Sequence, residues 1–469
     1  MPQIKVINGD KIQIIAVSGK KTLSDALIEA GLYVEHPCGG AGKCGKCTVL
    51  VNGKKELSCR FTVTDDITVV LPKKEEIVSV SGVKQSGEIG TELCLCLDIG
   101  TTTLALALVS IDKKETVKVV TATNPQRIYG ADVISRIDYC RKNGTENLTK
   151  TLTEGVAQLV NGLLCEYGIE NIEKMYVSGN TTMLHTFFGV DCSSLGVSPY
   201  TPVFLDTKKC KGKELGIDKI DEIEALPGIS AFVGADIVAG LNYVTQTEGK
   251  YDLLVDLGTN AEIALFGNGK IVCTTAAAGP CFEGANISCG MSAVEGAVCE
   301  VRADGTYKTI GNTEPKGLCA TGLIDLVSCL VKTEDIDESG FMEDEEYALT
   351  DKVILTQKDV RELQLAKSAV RSAIECLLDH VGIDAESIGK MYVAGGFSSG
   401  LNVQNAVDIG LFPKELKDKF TAVNNSSLQG TIKEAIEKKD LTEITKKAYY
   451  LDISGSALFS ELFFENMVF

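Results

Sequence analysis

Four cysteines near the start of the chain stand at a spacing suited to redox or metal chemistry. Cys38, Cys44, Cys47 and Cys59 are separated by five, two and eleven residues. Four thiolates on one short loop and its return strand suit a [2Fe-2S] cluster, in which each iron takes two cysteines besides the bridging sulfides. Gly39, Gly40, Gly42 and Gly45 lie among them, and glycine lets a backbone wrap closely enough for amide N–H groups to point at sulfur. The competing chemistry is a structural zinc site, which ordinarily shows two Cys-x-x-Cys knuckles. Only Cys44 and Cys47 make one here. His36 is expected to be a loop residue, because four thiolates already suffice.

A second chemistry repeats along the rest of the chain. Leu97-Asp98-Ile99-Gly100-Thr101-Thr102 returns as Val255-Asp256-Leu257-Gly258-Thr259-Asn260. Ile172-Glu-Lys-Met-Tyr-Val-Ser178-Gly179-Asn180 returns as Ile388-Gly-Lys-Met-Tyr-Val-Ala394-Gly395-Gly396. A turn of glycine and successive hydroxyl-bearing residues presents backbone N–H groups that cradle phosphate oxygens without a positive side chain. Asp98 and Asp256, at strand ends beside those turns, are suited to hold Mg2+ through its water shell. Gly395 and Gly396 allow a backbone to pass flat against a base or ribose. Neither a P-loop lysine motif nor a Gly-x-Gly-x-x-Gly opening a helix is present, so those two nucleotide folds are set aside.

The elements that must position these residues follow from periodicity. Gln3 to Ile7 and Lys11 to Ile15 alternate like strands joined at Asn8-Gly9-Asp10, and Thr22 to Ala30 reads as a capped helix. Strands over Thr48 to Val51 and Phe61 to Leu71 complete the cysteine domain. In the repeated part, Leu152, Val156, Leu159, Val160, Leu163 and Leu164 give one helical stripe, and Leu363, Ala366, Val370, Ile374 and Leu377 another. Strand, Asp-Gly-Thr turn, strand, helix, strand and Gly turn therefore occur twice, which predicts two related α/β halves facing a cleft. The expected divisions are 1–75 for the cysteine domain, 76–92 for a polar linker, 93–248 for the first half and 249–469 for the second.

Composition agrees and excludes. The 469 residues carry 46 Lys plus Arg against 64 Asp plus Glu, a formal net charge of -18, which argues against nucleic acid or an anionic membrane as the main partner. The N-terminus lacks an apolar leader, so a cytoplasmic location is expected and most of the 17 cysteines are expected to be reduced. Cys94 and Cys96 alternate in a strand and are expected in the core. Cys281, Cys289, Cys299 and Cys319 match no standard ligand run and are expected to be small buried hydrophobes. His185 and His380 are expected to be structural, and the acidic run from Glu334 to Glu346 a solvated loop.

The order strand, strand, helix, cluster loop, strand resembles the β-grasp [2Fe-2S] ferredoxin domain over roughly the first 75 residues, although the five-residue gap departs from plant-type spacing. The second part resembles the ribonuclease H-like nucleotide-binding superfamily of acetate and sugar kinases, heat-shock chaperones and actin. In that resemblance Asp98, Gly100, Thr101, Thr102 and Thr103 look like the first phosphate loop. Asp256, Gly258, Thr259 and Asn260 look like the second, and Gly395, Gly396, Phe397 and Ser398 like the adenosine motif.

A ferredoxin fused ahead of such an ATPase resembles the reductive activators of corrinoid proteins. The segments Asn124 to Ile137, Ala277 to Ala285, Lys316 to Asp325 and Thr356 to Lys367 look like that family. The resemblance implies a [2Fe-2S] cluster on Cys38, Cys44, Cys47 and Cys59, with ATP and Mg2+ as further cofactors. It implies a corrinoid iron-sulfur or methyltransferase protein as partner, an external low-potential electron donor, and a homodimer. It places Gln126 and Asp132 near the γ-phosphate, either one orienting the attacking water, although Asp132 equally reads as a helix N-cap. Glu283 either faces the nucleotide or sits in a Gly-rich turn. Two features depart from the family: the connection between ferredoxin and ATPase is short, which puts dimer contacts through it in doubt, and Asn424-Asn425 stand where Gly is expected.

The chemistry implied is reduction of Co(II) corrinoid to Co(I) by single electrons. A gap of about 250 mV amounts to roughly four decades in equilibrium, since one decade is about 59 mV for one electron, and an ATP cycle that changes protein contacts can offset it. Three alternatives remain: an ATP-driven activator of another low-potential enzyme, a small-molecule kinase with a redox-sensing ferredoxin domain, and a plain electron carrier with a degenerate nucleotide domain.

Overall fold

The structure is a computed structural model that describes residues 1–9, 11–30, 32, 34, 42, 47–72 and 83–469. The cysteine domain is a five-stranded sheet in the order Lys11–Ala16, Gln3–Asn8, Ile67–Val70, Thr48–Val51, Lys54–Leu57. Gln3–Asn8 and Ile67–Val70 run parallel, and the remaining neighbours are antiparallel. The helix Leu23–Glu29 packs Leu23 and Leu27 on Ile4, Val6, Val49 and Val69. Its start is set by Thr22, whose hydroxyl accepts the Asp25 N–H at 3.1 Å, an N-cap of the expected kind.

One expected strand is shorter than the sequence implied. Within Phe61 to Leu71 only Ile67–Val70 is a regular strand. Residues 64–66 are Thr-Asp-Asp, whose side chains compete for backbone groups, and Asp66 Oδ1 accepts the Gln3 N–H at 2.7 Å. The polar stretch expected as a linker is also not free throughout. Ser86 and Gly87 donate their N–H groups to Thr116 and Val117 carbonyls, and Gln85 Oε1 accepts the Val119 N–H. Asp112 receives the Thr91 N–H and hydroxyl. This part of the connection thus lies along the edge strand Glu115–Thr123, where unpaired backbone groups invite a partner.

The duplication is visible in the two large sheets. The first has the order Lys208–Lys211, Ile220–Ala225, Ile172–Gly179, Leu93–Ile99, Thr103–Ser110, Glu115–Thr123. The second has Phe420–Asn424, Ile388–Ala394, Tyr251–Leu257, Ala261–Gly267, Lys270–Ala276, Ala448–Tyr450. In each, a three-strand antiparallel meander is extended by parallel strands beside its first member. The registers correspond: Asp98 pairs with Ser178 and Asp256 with Ala394. Cys94 and Cys96 are buried in the first sheet, as expected. The helices Glu146–Glu166 and Gln357–Val381 bury the predicted stripes, with Leu159 only partly covered.

Two helices tie the halves together by packing across them. Ala235–Tyr243, which follows the first sheet, packs Ile237 and Leu241 with Leu254, Ala264 and Tyr392 of the second. Ser426–Glu437, which follows the second sheet, packs Leu428 and Ile432 into the core of the first. They meet at Gly430, where a Cβ would stand 1.7 Å from the Ala239 carbonyl oxygen, so only glycine permits this approach. Each large sheet is therefore packed by a helix that follows the other sheet in the chain.

Candidate functional site

The turns at the ends of Leu93–Ile99 and Tyr251–Leu257 face each other across a cavity of about 310 Å3. Asp98, Gly100, Thr101, Thr102 and Thr103 line one wall. Asp256, Gly258, Thr259, Asn260 and Glu283 line the opposite wall, and Gly395, Gly396 and Phe397 close one end. Gly395 has φ +107 and its Cβ would stand 2.3 Å from the Leu257 carbonyl oxygen. Gly179, its counterpart in the repeat, has φ +153 and the same conflict with Ile99 at 2.7 Å. The glycine turns are thus demanded by close strand-to-turn packing in both halves.

Three expected residues lie elsewhere. Gln126 is fully buried inside the first half, where its Nε2 donates to the Leu148 carbonyl at 3.0 Å and its Oε1 accepts from Arg136 at 3.3 Å. Both ends of its amide are committed, so it does not face the cavity to orient water. Asp132 caps the helix Val133–Asn143, accepting the Ser135 N–H at 2.7 Å and hydroxyl at 2.8 Å, and is not among the residues that line the cavity. Ser398 is buried behind Phe397 in a short turn and is not part of the cavity wall. His185 is held between the Thr181 carbonyl and the Val203 N–H, and His380 bonds Tyr449, so both are structural.

Two carboxylates that sequence reasoning missed complete the cleft: Asp236 and Glu262. Asp236 belongs to a Gly-Ala-Asp tripeptide that reads as a helix start, but Gly234 is the N-cap and Asp236 sits in the first turn. Glu262 pairs directly opposite Asp256 in the antiparallel ladder, where the first half has Ala105 opposite Asp98. A lone Glu in the apolar run Ala261 to Phe266 was the available signal. Like charges directly opposite one another repel, and burial makes the crowding worse. Burial, with Asp236 and Asp98 nearby, pushes Asp256 up to about 7. Burial, opposed by the Ile237 N–H and reinforced by Asp98, pushes Asp236 up to about 7. Burial, with Asp236 and Asp256 nearby, raises Glu262 well above the ordinary carboxylate range.

Asp98 is raised by burial, against hydrogen bonds from Ser427 and Asn425 that favour its charged form. Asn425 Nδ2 donates to Asp98 Oδ2 at 2.8 Å and its own Oδ1 caps the helix by accepting the Leu428 N–H at 2.7 Å. Asn424 takes the left-handed conformation at φ +49, which asparagine tolerates better than most residues. The Asn-Asn pair therefore makes the turn and also holds the carboxylate.

No Lys, Arg or His lines the cavity among the described residues. Buried carboxylates without basic partners fit a divalent cation, because a cation offsets both desolvation and mutual repulsion. Among the described residues no three Cys, His, Asp or Glu side chains converge closely enough to ligate one ion directly, which suits Mg2+ held through its waters. In the cysteine domain, Cys38, Cys44 and His36 lie outside the described residues. Cys47 and Cys59 bring their sulfurs to 3.3 Å, the convergence that adjacent ligands of one cluster require. No helix among the described residues is long and apolar enough to cross a membrane.

Residues 5–68 match the family described as the 2Fe-2S iron-sulfur cluster binding domain. Residues 93–247 match the RACo middle region, and residues 250–469 the C-terminal domain of RACo, the ASKHA domain. The chain is 25% identical to the "Corrinoid activation enzyme RamQ" of Eubacterium limosum, over 97% of each chain. It is 27% identical to the "[Co(II) methylated amine-specific corrinoid protein] reductase" of Methanosarcina barkeri, over 79% of this chain and 75% of that one. A solved structure titled "Reductive activator for corrinoid,iron-sulfur protein" superposes with a TM-score of 0.73 at 25% identity, covering 100% of this chain and 98% of the other.

Proposed function

Since the chain belongs to the family of reductive activators of corrinoid proteins, we propose that it uses MgATP in the cleft to drive one-electron reduction of a Co(II) corrinoid protein to Co(I). The observation that carries the coupling is the fusion itself. A sheet bearing converging thiols is joined to a cleft whose walls are carboxylates and hydroxyl-rich turns from two halves. The [2Fe-2S] cluster, when bound, supplies a carrier of single electrons, on Cys38, Cys44, Cys47 and Cys59. The domains are taken as 1–75, 93–248 and 249–469, with 76–92 between.

In the cleft, Asp98 and Asp256 hold the water shell of Mg2+, with Asp236 and Glu262 adding negative charge around it. Thr101, Thr102, Thr103, Thr259 and Asn260 present donors to phosphate, and Gly395, Gly396 and Phe397 face the adenosine end. Because each half contributes one phosphate loop, a nucleotide contacting both favours the closed arrangement, and its differential affinity for open and closed forms is the free energy available for coupling. A carrier that hands on its electron needs reloading, so the proposal includes an external low-potential donor. It also includes a homodimer and a cytoplasmic location.

The test is anaerobic: Co(II) loss is followed spectroscopically with the cluster-loaded protein, a corrinoid protein from the same source and a low-potential reductant, with and without MgATP. Faster and more complete formation of Co(I) with MgATP is expected. Equal rates without nucleotide would remove the coupling.

A further inference from the structure

Arg136 is among the largest fully buried side chains of the protein. Its Nε donates to the Gly130 carbonyl at 3.0 Å, Nη1 to Gln126 Oε1 at 3.3 Å and Met183 Sδ at 3.1 Å, and Nη2 to the Thr101 carbonyl at 2.6 Å. None of these partners is a carboxylate. A buried cation with only neutral partners is costly, so its retention under a loop that lines the cleft calls for an anion.

The geometry of the loop shows where that anion belongs. The Thr101 carbonyl and the Thr102 N–H share one planar trans peptide and point in opposite directions. Holding the carbonyl on Arg136, inside the first half, turns the N–H the other way. Asn124 does the same one peptide earlier, its Nδ2 donating to the Gly100 carbonyl at 2.8 Å and so turning the Thr101 N–H. Neither of these N–H groups finds an acceptor among the described residues, and both residues line the cavity. Two successive free N–H groups backed by a buried guanidinium make an anion site. An anion of the protein itself lies against it: Glu283 Oε2 accepts the Thr102 hydroxyl at 2.8 Å, while its Oε1 accepts the Thr259 N–H at 3.1 Å and hydroxyl at 2.8 Å. Burial and Arg127 pull the Arg136 pKa down, and Asp132 and Glu283 oppose that pull.

We propose that Arg136 is the positioning residue of the phosphate site, aiming the Thr102 N–H at the nucleotide's phosphates from behind the loop and supplying the positive charge that the cavity wall lacks, with Glu283 as the anion that phosphate displaces. The inference rests on the cleft being a nucleotide site.

Calorimetric titration of the cluster-loaded full chain with MgATP, MgADP and adenosine tests it, using Arg136→Met, Arg136→Lys and Glu283→Gln. Arg136→Met is expected to weaken MgATP about tenfold or more, the scale of a lost charge-assisted contact, while adenosine keeps its affinity. Arg136→Lys should restore part of the loss. Glu283→Gln is expected to strengthen MgATP, because the competing anion is gone, and it carries the test should Arg136→Met fail to fold. Equal weakening of MgATP and adenosine by Arg136→Met, or weaker MgATP binding by Glu283→Gln, would overturn the proposal. A wild-type protein that binds neither ligand would instead refute the nucleotide reading of the cleft.

Discussion

Ser427 donates its hydroxyl to Asp98 Oδ1 at 2.7 Å across 329 positions of sequence. The same hydroxyl lies 2.9 Å from Ser178 Oγ, and Thr431 donates to Ser178 at 2.8 Å. A carboxylate at the tip of the first sheet is therefore oriented by the helix that follows the second. Leu428 and Ile432 seat that helix in the core of the first half, so these donors are held on Asp98 by packing within the first half, although the chain reaches them only after the second sheet.

Ser427→Ala should consequently do two things. Removing a hydrogen bond to a buried carboxylate costs about 1–3 kcal/mol, so unfolding by urea should shift to lower denaturant. The Asp98 carboxylate, already raised by burial, loses a donor that favours its charged form and should be protonated more readily, which weakens Mg2+-dependent nucleotide binding most at low pH. Calorimetry of MgATP binding between pH 6 and pH 8 (on the order of one unit either side of neutrality) checks the second effect. Unchanged affinity throughout would show that Ser427 only packs.

The crowded carboxyls also set a pH dependence of stability. Asp256 and Asp236 are each raised to about 7 in the folded protein, so between their unfolded values and 7 the native state binds more protons than the unfolded chain. Stability then falls as pH rises through that window, by up to about 1.4 kcal/mol per unit for each group, and levels off above it. Mg2+ should compensate by replacing the protons. Thermal unfolding of the nucleotide-free protein is expected to show a Mg2+-induced rise in Tm that is larger at pH 8 than at pH 5, and Asp236→Asn should flatten the dependence. A Mg2+ effect independent of pH would contradict this account.

The cleft was legible where it repeats and opaque where the halves differ. Asp98 and Asp256 announce themselves because the same turn occurs twice, and the aligned registers Asp98 to Ser178 and Asp256 to Ala394 follow from that duplication. Glu262 breaks the repeat, since its register counterpart is Ala105, and a feature present once gives a self-comparison nothing to match. Asp236 was hidden because its tripeptide satisfies the local rule for a helix start equally well. The same rule applies correctly at Asp132, where the side chain does cap. The resemblance put Gln126 near the γ-phosphate, and nothing in the sequence showed where Arg136 lies. Their positions depend on burial inside the first half, where a polar side chain is held by carbonyls such as those of Leu148 and Gly130. The docked stretch at Ser86 and Gly87 was equally invisible, because a polar composition says nothing about an edge strand waiting to be paired.

The two chemistries reside in separate cores, which makes them separable by substitution. The cysteine domain has its own cluster of buried side chains, including Cys47, and no residue before Asp98 lines the cleft among those described. Cys47→Ser keeps nearly the same volume at a buried position while replacing a soft thiolate ligand by a hydroxyl that iron-sulfur clusters accept poorly. It should bleach the visible absorption of the anaerobically purified protein and abolish Co(II) reduction, with MgATP affinity preserved. Asp256→Asn removes one carboxylate from the proposed Mg2+ site and should weaken MgATP by about tenfold or more while leaving colour and chemical reducibility of the cluster intact. Iron content, absorption spectrum and calorimetric affinity, measured on both variants, decide the matter. Loss of cluster and nucleotide binding together in either variant would mean that the ferredoxin sheet and the cleft fold as one unit.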